Sequence, residues 1–150
     1  MPEKYTNIGT VISVSTAVPA TFDVAGYGAL TYTEVTGVAT VPEIGPSAAV
    51  VSQADLKDGV VLKGHGEIDF GGGTVQMRDK PTDAGQILMK AAQADQSILS
   101  VKVTRSTGLI EYFRAIVMSY RRSEASTGNF PGVAADLQII SAIVPDAASV

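Results

Sequence analysis

One histidine and two carboxylates are the residues of this sequence best placed to act together chemically. His65, Glu67 and Asp69 alternate with the period of a β-strand, so they are predicted to share one face of it. Such a group could serve as a general base with orienting carboxylates, or as a set of metal ligands. The chain has no second histidine and no cysteine to complete either site. We therefore interpret the group as the solvent-facing side of a strand.

Glycine-rich segments could instead bind phosphate groups through their backbone. Two Gly-x-Gly segments, at residues 26–28 and 64–66, lack the third glycine of a dinucleotide-binding fingerprint. The run at 71–73 precedes a strand pattern and carries no Gly-Lys-Ser/Thr sequence. No Gly-x-Ser-x-Gly motif provides a nucleophile, and the acids lack the spacing of a calcium loop. The sequence predicts no enzyme, no cofactor and no metal site.

Composition and charge narrow the class of protein further. A length of 150 residues predicts one domain spanning the chain. Only 17% of the residues are charged, against roughly 25% in an average soluble domain. The net charge of −4 argues against tight nucleic-acid binding, which requires basic residues to neutralise the phosphates. The absence of cysteine fits assembly in a reducing cytoplasm. We expect no secretory signal at residues 1–9 and no membrane span.

The elements that must carry these residues are mostly β-strands, because Thr, Val and Ile recur with a period of two along most of the chain. One helix is predicted at about 83–95, where Asp83 can cap the N-terminus, Gln86 has capping-box spacing and an apolar stripe follows. The pattern predicts a mainly β fold, a two-sheet β-sandwich or barrel with this one flanking helix. The predicted strands lie at about 8–15, 30–33, 35–41, 60–63, 66–70, 74–78, 98–105, 109–122 and 133–144.

Two segments are candidates for contact with other molecules. Residues 42–58 are interrupted by proline and glycine, so we expect a long loop, whose apolar content favours a functional role. Its candidate contact residues are Pro42, Ile44, Pro46, Val50, Val51 and Leu56. The predicted strand 109–122 is apolar on both faces and carries several arginines, so the helix predicted at 83–95 or another subunit is expected to cover it on both sides. Its candidate interface residues are Tyr112, Arg114, Tyr120, Arg121 and Arg122.

The order of several short motifs resembles that of the tail tube proteins of long-tailed bacteriophages. The motifs are TFD at 21–23 followed by YGALTYTEV at 27–35, TDAGQ at 82–86 opening the helix, and YFRA at 112–115 followed by VMS at 117–119. The resemblance covers nearly the whole chain, from about Gly9 to Val144.

The resemblance implies a β-sandwich subunit whose copies form hexameric rings, stacked into a hollow tube through which the genome leaves the capsid. The loop at 42–58 would reach the adjacent ring, and the arms at 1–9 and 145–150 would contact neighbouring subunits. A tape-measure protein, a tail terminator and tail-tip proteins are the implied partners. The implied location is the virion tail, after assembly in the host cytoplasm, with no membrane and no additional immunoglobulin-like domain.

An acidic lining would suit such a tube, because it repels phosphates and lets DNA pass without specific binding. We expect Glu67 and Asp69 to face the lumen, since they alternate with Ile68 and Phe70, which are predicted to face the core. Two other hypotheses stay open. The chain could be a tube ring protein of a related contractile injection or secretion machine, or a small ligand-binding β-barrel.

Overall fold

The structure, a computed structural model, describes residues 6–123 and 127–146, which form nine strands and two helices. The predicted mainly β fold with a flanking helix is confirmed. The elements are β1 Val11–Ser15, α1 Val24–Gly28, β2 Thr33–Val35, β3 Val38–Thr40, β4 Ile44–Ala54, β5 Val61–Arg78, α2 Ala84–Asp95, β6 Ile98–Thr104, β7 Ile110–Arg122, β8 Gly132–Ile139 and β9 Val144–Asp146. Of the two arms expected to contact neighbours, residues 1–5 and 147–150 lie outside the described residues.

Hydrogen bonding runs through all nine strands as one antiparallel sheet. Its order is β2-β1-β6-β7-β8-β5-β3, with β4 added to β5 and β9 added to β7. The strands β2 and β3 lie at opposite ends of this order, yet only Thr36 and Gly37 separate them in the chain. The sheet must therefore curl until its two ends meet, which makes a barrel with one interior.

The interior of the barrel is filled by alternate side chains of the strands. Leu99, Val101 and Val103 of β6 are fully buried, and the alternating residues of β7 from Phe113 to Val117 are buried as predicted. The remaining void holds about 10 Å³, room for roughly one water molecule. A small molecule does not fit inside this barrel.

The helix α2 is fastened to the point where the barrel closes. Asp83 caps it as predicted, accepting a hydrogen bond from the Gln86 backbone N–H at 3.0 Å. The Gln86 side chain does not complete a capping box. Its Nε2 donates to the carbonyls of Thr36 at 2.9 Å and Arg78 at 2.8 Å, and its Oε1 accepts from the Lys80 N–H at 3.0 Å. Gln86 thus ties the helix to the connection between β2 and β3.

Two segments differ from the sequence prediction. The loop expected at 42–58 is largely the strand β4. Pro46 does not prevent this strand, because it lies where the register shifts between Ile44 and Ser47 and no ladder hydrogen bond needs its missing N–H. The three strands expected between 60 and 78 are the single strand β5. Gly71 and Gly72 have φ angles of +96° and +159° and lie within β5, where its partner changes from β4 to β8.

Smaller differences concern the ends of elements. The segment between the first two predicted strands contains the one-turn helix α1, with Asp23 as its N-cap. Ile8 lies outside β1 with an exposed side chain, and the strand expected at 133–144 is split into β8 and β9. In the part of the chain that the structure describes, neither helix combines the length and apolar character needed to cross a membrane.

Candidate assembly surfaces

The strand β4 and the first half of β5 form a two-stranded extension, residues 44–71, which we call the ribbon. Its pairing runs from Ile44 opposite Gly71 to Ala54 opposite Val61, and a turn at 55–60 closes it. At about 3.3 Å per residue the ribbon is about 33 Å long. Within the described ranges both of its long edges lack a strand partner, because β8 and β3 pair only with residues 72–78 of β5.

The ribbon exposes an unusual amount of apolar surface. Leu56, in the closing turn, is completely exposed. The other exposed apolar side chains of the ribbon are Val50, Val51, Val60, Val61, Leu62 and Ile68. A two-stranded hairpin is at best marginally stable in water, and contiguous exposed apolar patches mark interaction sites. The ribbon is therefore shaped for contact with another molecule.

The six loop residues proposed for contact fall into two groups. Pro42 and Ile44 are half-buried and line the void in the barrel, so they anchor the base of the ribbon. Val50, Val51 and Leu56 are exposed, as is Pro46. These four remain available to a neighbour.

The predicted common face of His65, Glu67 and Asp69 does not form. Val50 lies opposite His65 and Ala48 opposite Ile68, so two steps on β4 correspond to three on β5. This bulge inserts one residue and reverses the alternation, which puts His65 on the face of Ile68 and leaves the two acids on the other face. Among the described residues no three potential ligands are grouped to hold a metal ion.

The two acids are exposed on the ribbon, but their expected setting is wrong in one respect. Ile68 was expected to face the core beside them, and its side chain is instead 63% exposed. Both faces of the ribbon are wet at this point, since the barrel ends near Gly71. Asp69 also accepts a hydrogen bond from the Gly71 N–H at 2.9 Å, which helps to shape the base of the ribbon.

Tyr112, predicted to lie at a subunit interface, is instead covered by its own chain. Its ring stacks on the ring of Tyr27, with centroids 5.5 Å apart and planes within 10°. The Tyr32 hydroxyl donates a hydrogen bond to the Tyr27 carbonyl at 3.0 Å, which adds a third tyrosine to this cluster. Burial raises the pKa of the Tyr112 phenol, and the Asp146 carboxylate raises that pKa further. The segment around α1 therefore covers this face of β7, where the sequence predicted the helix at 83–95 or another subunit.

A bulge in β7 turns Tyr120, a candidate interface residue, toward the barrel interior. Val117 pairs with Leu137 and Ser119 with Asp136, so β7 carries one extra residue at Met118. Tyr120 consequently packs against the barrel interior, and Met118 is 55% exposed. Burial raises the pKa of the Tyr120 phenol, as does the nearby Asp79 carboxylate.

The basic residues of β5 and β7 gather where these two strands end. We call this set, Arg78, Lys80, Arg121 and Arg122, the basic end. The Arg122 Nε pairs with the Asp79 Oδ2 at 3.1 Å. The exposed side chains of Arg78 and Arg121 have no hydrogen-bond or ion-pair partner among the described residues. The remaining candidate, Arg114, is half-buried, and its Nε finds no hydrogen-bond acceptor in the described part of the chain.

An open groove lies beside the basic end. It has a volume of about 460 Å³, and most of its wall is formed by β5, β8 and the loop that precedes β8. Arg78 contributes to its rim, and Phe130, 83% exposed, stands in it. We call it the Phe130 groove. It is mainly apolar, with a positive charge beside it.

The fold is that of tail tube proteins. The chain is similar to a chain of the SPP1 tail tube, with a TM-score of 0.63 at 16% identity over 91% of this chain and 76% of that one. It is also similar to a chain of the anti-feeding prophage baseplate, with a TM-score of 0.70 at 6% identity over all of both chains. A chain of the sheath and tube terminator of an extracellular contractile injection system matches with a TM-score of 0.62 at 12% identity over 98% of both. No protein-family model and no curated protein matches the sequence.

Proposed function

We propose that this protein is the structural subunit of a phage tail tube, in which hexameric rings of identical subunits stack into the hollow conduit for genome ejection. The ribbon is the observation that carries the proposal. It projects about 33 Å from the barrel as a pair of strands. Neither of its two edges pairs with a strand of the barrel. A second copy of the chain supplies the missing cover, and the ribbon then bridges one ring to the next.

The barrel itself supports a structural role over an enzymatic or ligand-binding one. Its interior leaves a void of only about 10 Å³, whereas small-molecule sites occupy roughly 300–1,000 Å³. The single histidine is exposed on the ribbon, and among the described residues no metal-binding group accompanies it. In this proposal the chain acts as a building block.

The charge distribution suits a conduit for DNA. The ribbon carries four carboxylates and two lysines, and the whole chain has a net charge of −4. Glu67 and Asp69 face the lumen in this proposal, where they repel the phosphates of passing DNA and prevent it from adhering. DNA is then a transient passenger and not a bound ligand.

Other tail proteins complete the assembly in this proposal. The arms at 1–9 and 145–150 contact neighbouring subunits, and a tape-measure protein, a tail terminator and tail-tip proteins set the length and the ends of the tube. The subunits are made and assembled in the host cytoplasm and end in the virion tail.

Negative-stain electron microscopy of the purified protein tests the proposal. We expect hollow, cross-striated tubes, and a protein that stays monomeric at high concentration contradicts the proposal.

A shortened chain tests the part played by the ribbon. Ser47 and Asp69 lie opposite each other, so residues 48–68 can be replaced by an Asn-Gly turn that keeps the strand register. We expect this variant to fold, with the far-ultraviolet circular dichroism of a β protein, and to form no long tubes.

A second candidate is a ring protein of a contractile injection machine. The similarity to the baseplate chain, which spans all of both proteins, favours it. Tube subunits of either kind polymerise without limit, whereas a baseplate or terminator ring stops after one layer. Electron micrographs that show single rings, without tubes at any concentration, support this second candidate.

A further inference from the structure

We propose that the tip of the ribbon docks into the Phe130 groove of a second copy of this chain, with Leu56 entering the groove and Asp58 pairing with Arg78. The proposal rests on the tube function above and identifies the two surfaces that join successive rings. It follows from a complementarity in shape and charge between the two ends of one strand, β5.

The tip of the ribbon is an ordered projection. The Asp55 N–H donates to the Val60 carbonyl, and the Gly59 N–H donates to the Asp55 carbonyl, both at 2.9 Å. The Asp55 carboxylate is occupied within the turn, since it accepts from the Lys57 N–H at 2.9 Å. These bonds hold Leu56 fully outside the chain, so the apolar knob is formed before any partner arrives.

Asp58 is the carboxylate of the tip that is free to pair. It is exposed, and in the ranges that the structure covers its carboxylate makes no hydrogen bond and no ion pair. Leu56 therefore lies two residues from an unpaired carboxylate, with Lys57 between them. A matching site needs an apolar recess with a positive charge at its rim.

The Phe130 groove meets this description. It is open, mainly apolar and about 460 Å³ in volume, which is ample for a leucine side chain. Arg78 lies at its rim, and Arg121 follows on β7, where it pairs with Ala134 of the groove wall. Both guanidinium groups are exposed. The groove can thus accept an apolar knob that carries a carboxylate.

The positions of the two surfaces decide what such a contact builds. The ribbon tip precedes Val61, the first residue of β5, and the groove borders Arg78, its last. A contact between two different surfaces at opposite ends of a subunit is heterologous, so each docking step leaves a new tip and a new groove free. Such a contact either closes into a ring or continues as an open stack, and surfaces at opposite ends of β5 favour the open stack that successive rings require.

A charge swap tests the pairing. Asp58→Arg and Arg78→Asp are each purified, shown to keep the circular dichroism and urea midpoint of the wild type, and assayed for tube growth by light scattering and electron microscopy. Each variant alone opposes like charges, so we expect its elongation to slow about tenfold or more. Mixing the two variants restores a complementary pair wherever one variant docks on the other, so we expect elongation to recover well above that of either variant alone. Leu56→Ser slows elongation as well, with little dependence on salt.

Asp95→Arg is the matched control, because it makes the same charge change at an exposed residue at the end of α2. We expect it to elongate like the wild type. If it fails as well, net charge and not the contact governs growth, and the proposal is overturned. Single variants that elongate normally, or a mixture that does not recover, also overturn it. A wild-type protein that forms no tubes refutes the tube function itself, which is a separate result.

Discussion

Replacing Gln86 by leucine tests whether the barrel is closed by one buried side chain. The Gln86 side chain is 1% exposed and makes three hydrogen bonds to backbone groups of three other residues. One of these groups belongs to Thr36, in the connection between the two ends of the sheet. Leucine has a similar size but no polar atoms, so the substitution removes all three bonds at little cost in packing.

The expected loss follows from the number of bonds. Each hydrogen bond contributes about 1 kcal/mol net, and each polar group left buried without a partner adds to the cost. Three bonds therefore predict that the free energy of unfolding falls by about 3 kcal/mol, against a total of about 5–15 kcal/mol for a typical domain. With a urea m-value of about 2 kcal/mol/M, the unfolding midpoint falls by about 1.5 M.

The assay is urea unfolding followed by circular dichroism at several protein concentrations. Polymerisation stabilises the folded subunit by mass action, so the midpoints are extrapolated to the dilute limit. Gln93→Leu is the matched control, because Gln93 is a half-buried glutamine of the same helix. We expect a change below about 0.5 kcal/mol for the control. A Gln86→Leu midpoint that shifts no more than that of Gln93→Leu refutes the claim that Gln86 closes the barrel.

Two further perturbations act near the helix caps. Burial alone would raise the pKa of Asp83, but hydrogen bonds from Thr36 and Gln86 outweigh it and hold the pKa below its ordinary value of 3.8. The ionised carboxylate therefore contributes stability above that value and loses it as the pH falls through the lowered pKa. Urea midpoints of the wild type should thus fall more steeply on acidification than those of Asp83→Asn. In α1, Gly26→Ala would place a Cβ against the carbonyl of Thr21, whereas Gly28→Ala meets no atom within 4 Å. We expect Gly26→Ala to lower the free energy of unfolding by about 1–3 kcal/mol, because overpacking is costly where space is lacking. Gly28→Ala should leave it nearly unchanged, so equal urea midpoints for the two variants would contradict this reasoning.

Local patterns in the sequence predicted the elements whose partners are near in the chain. The alternation of Leu99, Val101 and Val103 identified a core face, because period-two burial is a property of one strand alone. The cap at Asp83 likewise depends only on the next three residues. These features required no knowledge of the tertiary structure.

The features that the sequence did not reveal depend on distant partners. Two bulges, one in β5 near His65 and one in β7 at Met118, reverse the side-chain alternation beyond them. Periodicity cannot show which strand of a pair carries an extra residue, so His65 was assigned to the wrong face and Tyr120 to an interface. Gln86 was read as half of a capping box, because its real partners meet it only after the sheet curls.

The continuity of β5 has a mechanical consequence. A pull along the ribbon is carried by the same covalent strand into the barrel, where seven residue pairs join residues 72–78 to β8. Force in this direction slides β5 lengthwise past its neighbour and loads those pairs together in shear, whereas force across the strand would peel them apart one at a time. Bonds that share a load must break together, so the subunit resists tension along the ribbon far better than tension across it. Gly71 and Gly72, which lie where the partner of β5 changes from β4 to β8 and lack side chains to pack, are then the compliant link that stretches first.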